Sequence, residues 1–466
     1  MNVKALGIYW GRELRVGVLF QYALEGAATI NRFEVDARFR ELPDPPTLSL
    51  AFLAATPQQQ QALWSQVTAQ PFNARHTPTQ GWTLPSFFQN LLPEGVFRDH
   101  VAALRRCDPR DHFEMLAACG KDLPGNLYAL PVELSRDELA HYVTQDQDAL
   151  EMSVTAEPLE EGVSLSGVQP KLGVIREGGR YVGRTRDQDT HIIAKLPVVG
   201  QPLLPEVEEL SLRLARAAGV DTCEAYLEPL GKLAAQHRYD LGDADARTHF
   251  LAVVRYDRGP QGRTHCEDFA QVLGALPDEK YTGADPRRPA SYLGVAAVLL
   301  GEPSMGETAV HELLRRLMVN ELLGNADGHL KNLGLRYPDA VHPQLAPAYD
   351  IVAYAVYSRA TGHALRIVPD ALAPRPKPAP EPGRAGPKQS LSPAMVRAFC
   401  TALGLPEKPA MAAVTACVRA AHARWPAMIE TSALTALQKR RLAAHFHAHP
   451  MIASLDRRSA RSASPG

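Results

Sequence analysis

The order of two hydrophobic periodicities limits what this chain can fold into more than any other feature. Between residues 164 and 258 short apolar runs are separated by turns, and from about residue 290 apolar positions fall at helical spacing. The first stretch offers LGVI (172–175), a Gly-Gly turn at 178–179, HIIAKLP (191–197), AYLEPLGKLAA (225–235) and FLAVVRYDR (250–258). One helix interrupts it, from Glu206 through Ala218, with Gly219 as its stop. VAAVLL and HELLRRLMVNELLG open the helical stretch, and an LGLR strand candidate follows the polar segment GNADGHLKN. A strand-rich layer followed by a helix-rich body is an α+β arrangement.

Ahead of these, VKALGIYWGREL and RVGVLFQYA read as a β-hairpin that begins a smaller mixed module. LPSFFQNLLPEGVFRDHVAALRRC and DPRDHFEMLAACG supply helices, the second with an Asp-rich start and a glycine exit. Phe87, Phe88, Leu91 and Leu92 are expected in this module's core. Residues 1–145 are assigned to it, 146–258 to the strand-rich lobe and 259–450 to the helical lobe. Proline-rich 369–387 interrupts the helical lobe, and 451–466 is expected to be a disordered tail, being small, basic and polar from 455 on.

Composition narrows the possibilities further. With 466 residues, 45% of them hydrophobic, the chain can bury two or three cores, which excludes general disorder. The 50 Lys+Arg against 51 Asp+Glu give a net charge of −1, too little for broad attraction to nucleic acid or anionic lipid. Six separated cysteines without a Cys-x-x-Cys pair point to reduced thiols and away from a zinc site. No leader pattern and no run of about 18 apolar residues is seen, so a cytoplasmic protein without membrane contact is expected.

Three segments could carry chemistry. GNADGHLKN is followed, eighteen residues beyond Asn332, by Asp350 in LAPAYDIV. Phosphoryl transfer needs a group to orient an incoming hydroxyl, oxygen ligands for magnesium and a cation for phosphate; Asp327, Asn332, Asp350 and Lys331 can divide those tasks. Lys195 ends an apolar run, where a recessed ammonium needs an anionic companion, and Glu208 in the next helix can hold it. SLSGVQPK (164–171) offers hydroxyls and a glycine for a phosphate-cradling turn, though it matches neither GxxxxGK[ST] nor a dinucleotide fingerprint. Taken singly, each segment has an ordinary alternative: a solvated Asn/Asp/Gly turn, a lysine reaching solvent, a β-turn. Glu206 and Glu209 compete with Glu208 as the lysine's partner. His329 suits an orienting role, and Glu267 and Asp268 suit helix capping.

With SFFQNLLPEG, SLSGVQPKLGV, THIIAKLP, VRYDR, GNADGHLKN and LAPAYDIV in this order, the chain closely resembles the HipA family, serine/threonine-kinase toxins of bacterial type II toxin–antitoxin systems, over roughly residues 4–425. The resemblance implies a protein-kinase-like two-lobed fold with an N-terminal accessory module. It implies Asp327 as the catalytic aspartate, Asn332 and Asp350 as magnesium-associated residues, and Lys195 on ATP phosphate. Ser164 matches an inhibitory autophosphorylation serine, with Ser166 a second candidate; Val168 and Gln169 are placed near nucleotide, as is Arg255 beside a stretch at 252–255 that would approach adenine. On the residues alone, Arg255 and Asp257 also read as an exposed ion pair. The implied cofactors are ATP and Mg²⁺. The implied partners are a translational protein such as glutamyl-tRNA synthetase, a DNA-binding antitoxin, and DNA or the nucleoid through that antitoxin. A catalytically weak, kinase-like binding protein and a small-molecule phosphotransferase remain the alternatives. HIIAKLP carries Ala194 where some relatives have a shorter run.

Overall fold

The computed structural model describes residues 2–23, 29–65, 83–135, 137–138, 151–153, 157–159, 162–165, 169–184, 188–235, 237–358, 362–374 and 388–463. Ser166, Val168 and 375–387 of the proline-rich segment lie outside the described residues.

The N-terminal hairpin forms as its alternation requires. Strands β1 (Asn2–Trp10) and β2 (Leu14–Ala23) pair antiparallel, and β3 (Ile30–Val35) and β4 (Leu127–Pro131) extend the sheet on either side. Successive side chains point to opposite faces, so Leu6, Ile8 and Leu19 join one core while Val3, Ala5, Val18 and Phe20 form a separate cluster on the other face, and a bulge at Val16 turns that residue to the first core. Phe87, Phe88, Leu91 and Leu92 are buried as expected. The glycine exit at Gly120 has a reason beyond turning the chain: a Cβ there would lie 1.8 Å from the carbonyl oxygen of Ala129 on β4.

The boundary expected at residue 145 lies outside the described residues. Strand β5 (Glu151–Ser153) pairs parallel with β1, and one hydrophobic core runs from Leu6 and Phe88 through Val163 and Leu172 to Phe250. The module and the strand-rich lobe therefore form one packed unit.

That lobe is an antiparallel sheet of β6 (Lys171–Glu177), β7 (Arg180–Val182), β8 (Ile192–Lys195), β9 (Ala225–Pro229) and β10 (His249–Val254), in the order β7-β6-β8-β10-β9. Gly178 and Gly179 take φ of 55° and 78° in the β6–β7 turn, a region open to glycine at little cost. The helix Leu204–Ala217 packs on β9 and β10.

A short ribbon, β11 (Arg258–Gly259) with β12 (Gly262–Arg263), leads into β13 (His265–Asp268), which pairs with β14 (Gly334–Tyr337), itself paired with β15 (Gln344–Leu345). The rest of this lobe is helical around a second core, with Gly306–Leu323 and Glu407–Glu430 in contact at its centre. The tail is not disordered as expected. Residues Pro450–Ala463 are helical, Ile452 is fully buried, and Met451 and Leu455 pack on the second core. Asp456 accepts from both His422 and His447 at 2.9 Å.

Candidate functional site

A cavity of about 140 Å³ lies between the lobes, lined by residues of β6, β8, β10 and β13 together with Ser164, Lys331 and Asp350. Lys171 begins β6 and Lys195 ends β8, and the antiparallel register sets them directly opposite each other. Like charges so paired repel, and both residues are buried, 5% exposed each. Acidic groups compensate them: the Lys195 ammonium bonds the carboxylates of both Glu208 and Asp350. Burial alone would depress the Lys195 pKa, but Asp350 and Glu208 raise it, so the group stays charged. Burial also opposes ionisation of Asp350, and Lys195 with Lys171 overcomes it, holding the carboxyl well below its usual range. Lys171 is shifted downward, by burial first and by Lys195 as well.

Asp350 has φ of 56°, a conformation that costs a side chain bearing a Cβ and that recurs at functional sites. The loop after helix Gly306–Leu323 carries the other expected acid. Gly324 ends that helix at φ 67°, the Asp327 amide donates to Asn325 Oδ1 at 3.2 Å, and Asn332 Nδ2 donates to the Asp327 carbonyl at 2.8 Å. The loop is thus tied to itself at both ends. Tyr281, 44% exposed, donates its hydroxyl to Asp327 Oδ1 at 2.5 Å and meets the His329 ring edge-on. His329 is buried, and burial lowers its pKa.

Lys331, expected at phosphate, and Arg255, expected near nucleotide, both bond to groups of the protein. Lys331 Nζ donates to Asn90 Oδ1 at 3.0 Å, to the Asn90 carbonyl at 3.2 Å and to Asp268 Oδ2 at 3.0 Å. Arg255 is buried and bonded to Asp257, Asp122 and Thr190 at 2.8–3.0 Å, so this ion pair is internal rather than exposed. Its network, joined by Arg258, pins the segment after β10 to Asp122 of the N-terminal module. Val253 and Val254 of β10 still line the cavity.

Ser164 lines the cavity with its hydroxyl bonded to the Leu91 carbonyl, while Gln169 is half-buried ahead of β6 and does not line it. Asp268 caps its helix through Gln271, as expected, and Glu267 instead binds Ser49, Leu50 and Tyr337. The sequence reading missed Lys171, Asn90 and Tyr281. Lys171 carried the same signal as Lys195, a charge at the end of an apolar run.

A buried lysine of the strand-rich lobe, bonded to a helix glutamate and to an aspartate of the helical lobe, sits in a two-lobed, protein-kinase-like fold; Asp327 and Asn332 do not line the cavity. The HipA-like C-terminal domain model matches residues 163–425 and the HipA N-terminal domain model matches residues 8–130. The chain belongs to the HipA family. It is 35% identical over 292 residues to the Sinorhizobium fredii (strain NBRC 101917 / NGR234) protein named "Putative kinase Y4dM", covering 62% of this chain and 67% of that one. It is 30% identical over 375 residues to "Putative kinase Y4mE" of the same strain, covering 77% and 79%. Its fold matches the HipA toxin–antitoxin structure from Shewanella oneidensis MR-1, solved with HipB and operator DNA, at a TM-score of 0.61 and 19% identity over 97% of both chains. Among the described residues no helix is long and apolar enough to cross a membrane.

Proposed function

We propose that this chain is an ATP- and Mg²⁺-dependent serine/threonine protein kinase that acts as the toxin of a type II toxin–antitoxin pair. The observation that carries the reading is the pairing of Lys171 with Lys195 across β6 and β8, buried against Glu208 and Asp350. Two adjacent buried ammonium groups suit a ligand that brings several negative charges, as a nucleotide triphosphate does.

The donor set fits the metal. Asp350 is held ionised, and the Asn332 amide nitrogen is committed to the Asp327 carbonyl, leaving its oxygen as the donor atom; both are the hard oxygen ligands magnesium takes. When bound, Mg²⁺–ATP supplies the phosphoryl group and part of the charge neutralisation. Asp327 then orients the acceptor hydroxyl and takes its proton, exchanging its bond from Tyr281 for one from the substrate. Lys195 turns from Asp350 toward phosphate while Glu208 keeps it in place. Ser164 is the candidate regulatory phosphosite: adding about −1.5 to −2 charges to a buried hydroxyl would expel its turn from the cavity.

Family membership supports a protein target in translation, glutamyl-tRNA synthetase being one candidate, and a DNA-binding antitoxin through which DNA is contacted. Phosphopeptide mass spectrometry on a cytoplasmic extract incubated with ATP and Mg²⁺ tests this. New phosphoserine or phosphothreonine in translation proteins, absent with Asp327→Ala, is expected. A folded, antitoxin-binding wild type that transfers no more phosphate than Asp327→Ala would contradict it and leave the kinase-like binding protein.

A further inference from the structure

The turn Asn90–Glu94 of the N-terminal module touches both walls of the cleft. On one side it holds the Ser164 turn: Ser164 donates its hydroxyl to the Leu91 carbonyl, and the Glu94 amide donates to the Leu165 carbonyl at 3.4 Å. On the other it holds the 325–332 loop through Lys331, which bonds Asn90 twice and ion-pairs with Glu94 at 3.6 Å. Glu94 also pairs with Lys280 at 3.5 Å, whose carbonyl accepts the Leu330 amide at 3.1 Å.

Asn90 is built for this position. It is 4% exposed, and its amide nitrogen donates to the Ser86 carbonyl at 3.0 Å and the Ala275 carbonyl at 2.8 Å, which fixes its oxygen toward Lys331. Lys331 is itself 3% exposed and has three protons to place; Asn90 accepts two and Asp268 the third. A buried ammonium that loses an acceptor keeps the full cost of its desolvation, so the loop that carries it must shift.

We propose that the Asn90–Glu94 turn is a strut coupling the Ser164 turn to the 325–332 loop, with Asn90 as a positioning residue for that loop. A change at Ser164 is then felt at Asp327 and Asn332 through the N-terminal module, not only across the nucleotide cavity. The consequence for phosphate transfer rests on the kinase reading; the coupling itself does not.

Amide hydrogen exchange on the full chain without nucleotide tests the coupling, comparing wild type, Asn90→Ala, Ser164→Asp and the double variant. Each single change should speed exchange at 330–332 about tenfold, and the double variant should add no more than about twofold. Unchanged exchange in Asn90→Ala, or full additivity in the double variant, overturns the strut. Should Asn90→Ala fail to fold, Lys331→Met breaks the contact from the loop side, together with the bonds to the Asn90 carbonyl, Asp268 and Glu94, and loss of the tie is again read as faster exchange at 330–332 that is not additive with Ser164→Asp. In phosphate-transfer assays Asn90→Ala should lower kcat about tenfold with the KM for ATP unchanged, whereas a simple loss of nucleotide affinity would contradict the assignment. A wild type that transfers no phosphate would defeat the kinase reading, and the exchange comparison would still decide the strut.

Discussion

Lys195 and Asp350 lie 155 residues apart in sequence, yet the ammonium of one bonds the carboxylate of the other across the two lobes. The same ammonium bonds Glu208, and the register of β6 on β8 sets Lys171 opposite it. The cleft therefore gathers its charges before any ligand arrives, with the strand-rich lobe supplying cations and the helical lobe supplying Asp350. Of the two lysines, Lys195 has its charge favoured by Asp350 and Glu208 whereas Lys171 has its charge opposed by burial, and a cation held at some cost suits a site for an anion.

Replacing Lys171 should separate stability from binding. Lys171→Met removes a charge that burial opposes most, Lys195 opposes as well, and Asp350 and Glu208 only partly favour, so the melting temperature of the nucleotide-free protein should rise. The further rise that Mg²⁺–ATP gives the wild type should be lost. Thermal scans with and without nucleotide check both signs; a fall without nucleotide and a retained shift with it would contradict the prediction.

The backbone at Asp350 distinguishes two substitutions that remove the same carboxylate. Asn tolerates the left-handed region and Ala does not, so Asp350→Ala should be less stable than Asp350→Asn by about 1 kcal/mol. Both should abolish phosphate transfer. Urea titrations alongside an activity assay measure the difference.

Glu267 should make stability depend on pH near neutrality. Burial raises its pKa to about 7, although bonds from Ser49, Tyr337 and the Leu50 amide pull it downward. With the folded value above the unfolded one, near 4.5, the folded state binds more protons. The stabilisation is complete below about pH 4.5 and is lost as pH rises through about 7, up to about 3 kcal/mol. Because Glu267 binds Ser49 and Leu50, this loosening falls on the contact between the N-terminal module and the helical lobe. Melting temperatures at pH 5 and 8 should converge in Glu267→Gln relative to wild type.

The C-terminal helix should contribute to the second core. Ile452→Ala deletes a fully buried side chain and should cost about 2–5 kcal/mol, read as a shift in the urea midpoint. A neutral result would mean that residues 450–463 do not pack on that core.

Part of the site was legible because its parts follow one another in order: the contact of Lys195, at the end of an apolar run, with Glu208, one helix later, could be read locally, and the structure adds Asp350 to it. What could not be read is distance: Asn90 meets Lys331 across 241 residues, and Asp122 meets Arg255 across 133. Those two contacts hold Lys331, expected at phosphate, and Arg255, expected near nucleotide, in bonds within the protein. Composition misled at the C-terminus, where Ile452 is fully buried and Leu455 packs on the second core. The N-terminal module could be recognised as a unit, but its shared core with the strand-rich lobe depends on which face of β6 and β10 it covers.

Transfer of label from γ-labelled ATP, with Mg²⁺, to protein acceptors tests the central claim most directly. Wild-type protein should incorporate phosphate on serine or threonine, and Asp327→Asn, which keeps the size of the side chain and removes its basicity, should lower the rate at least about a hundredfold while still binding ATP. Equal incorporation by the two proteins, or none by a folded wild type that does not bind ATP, would contradict it.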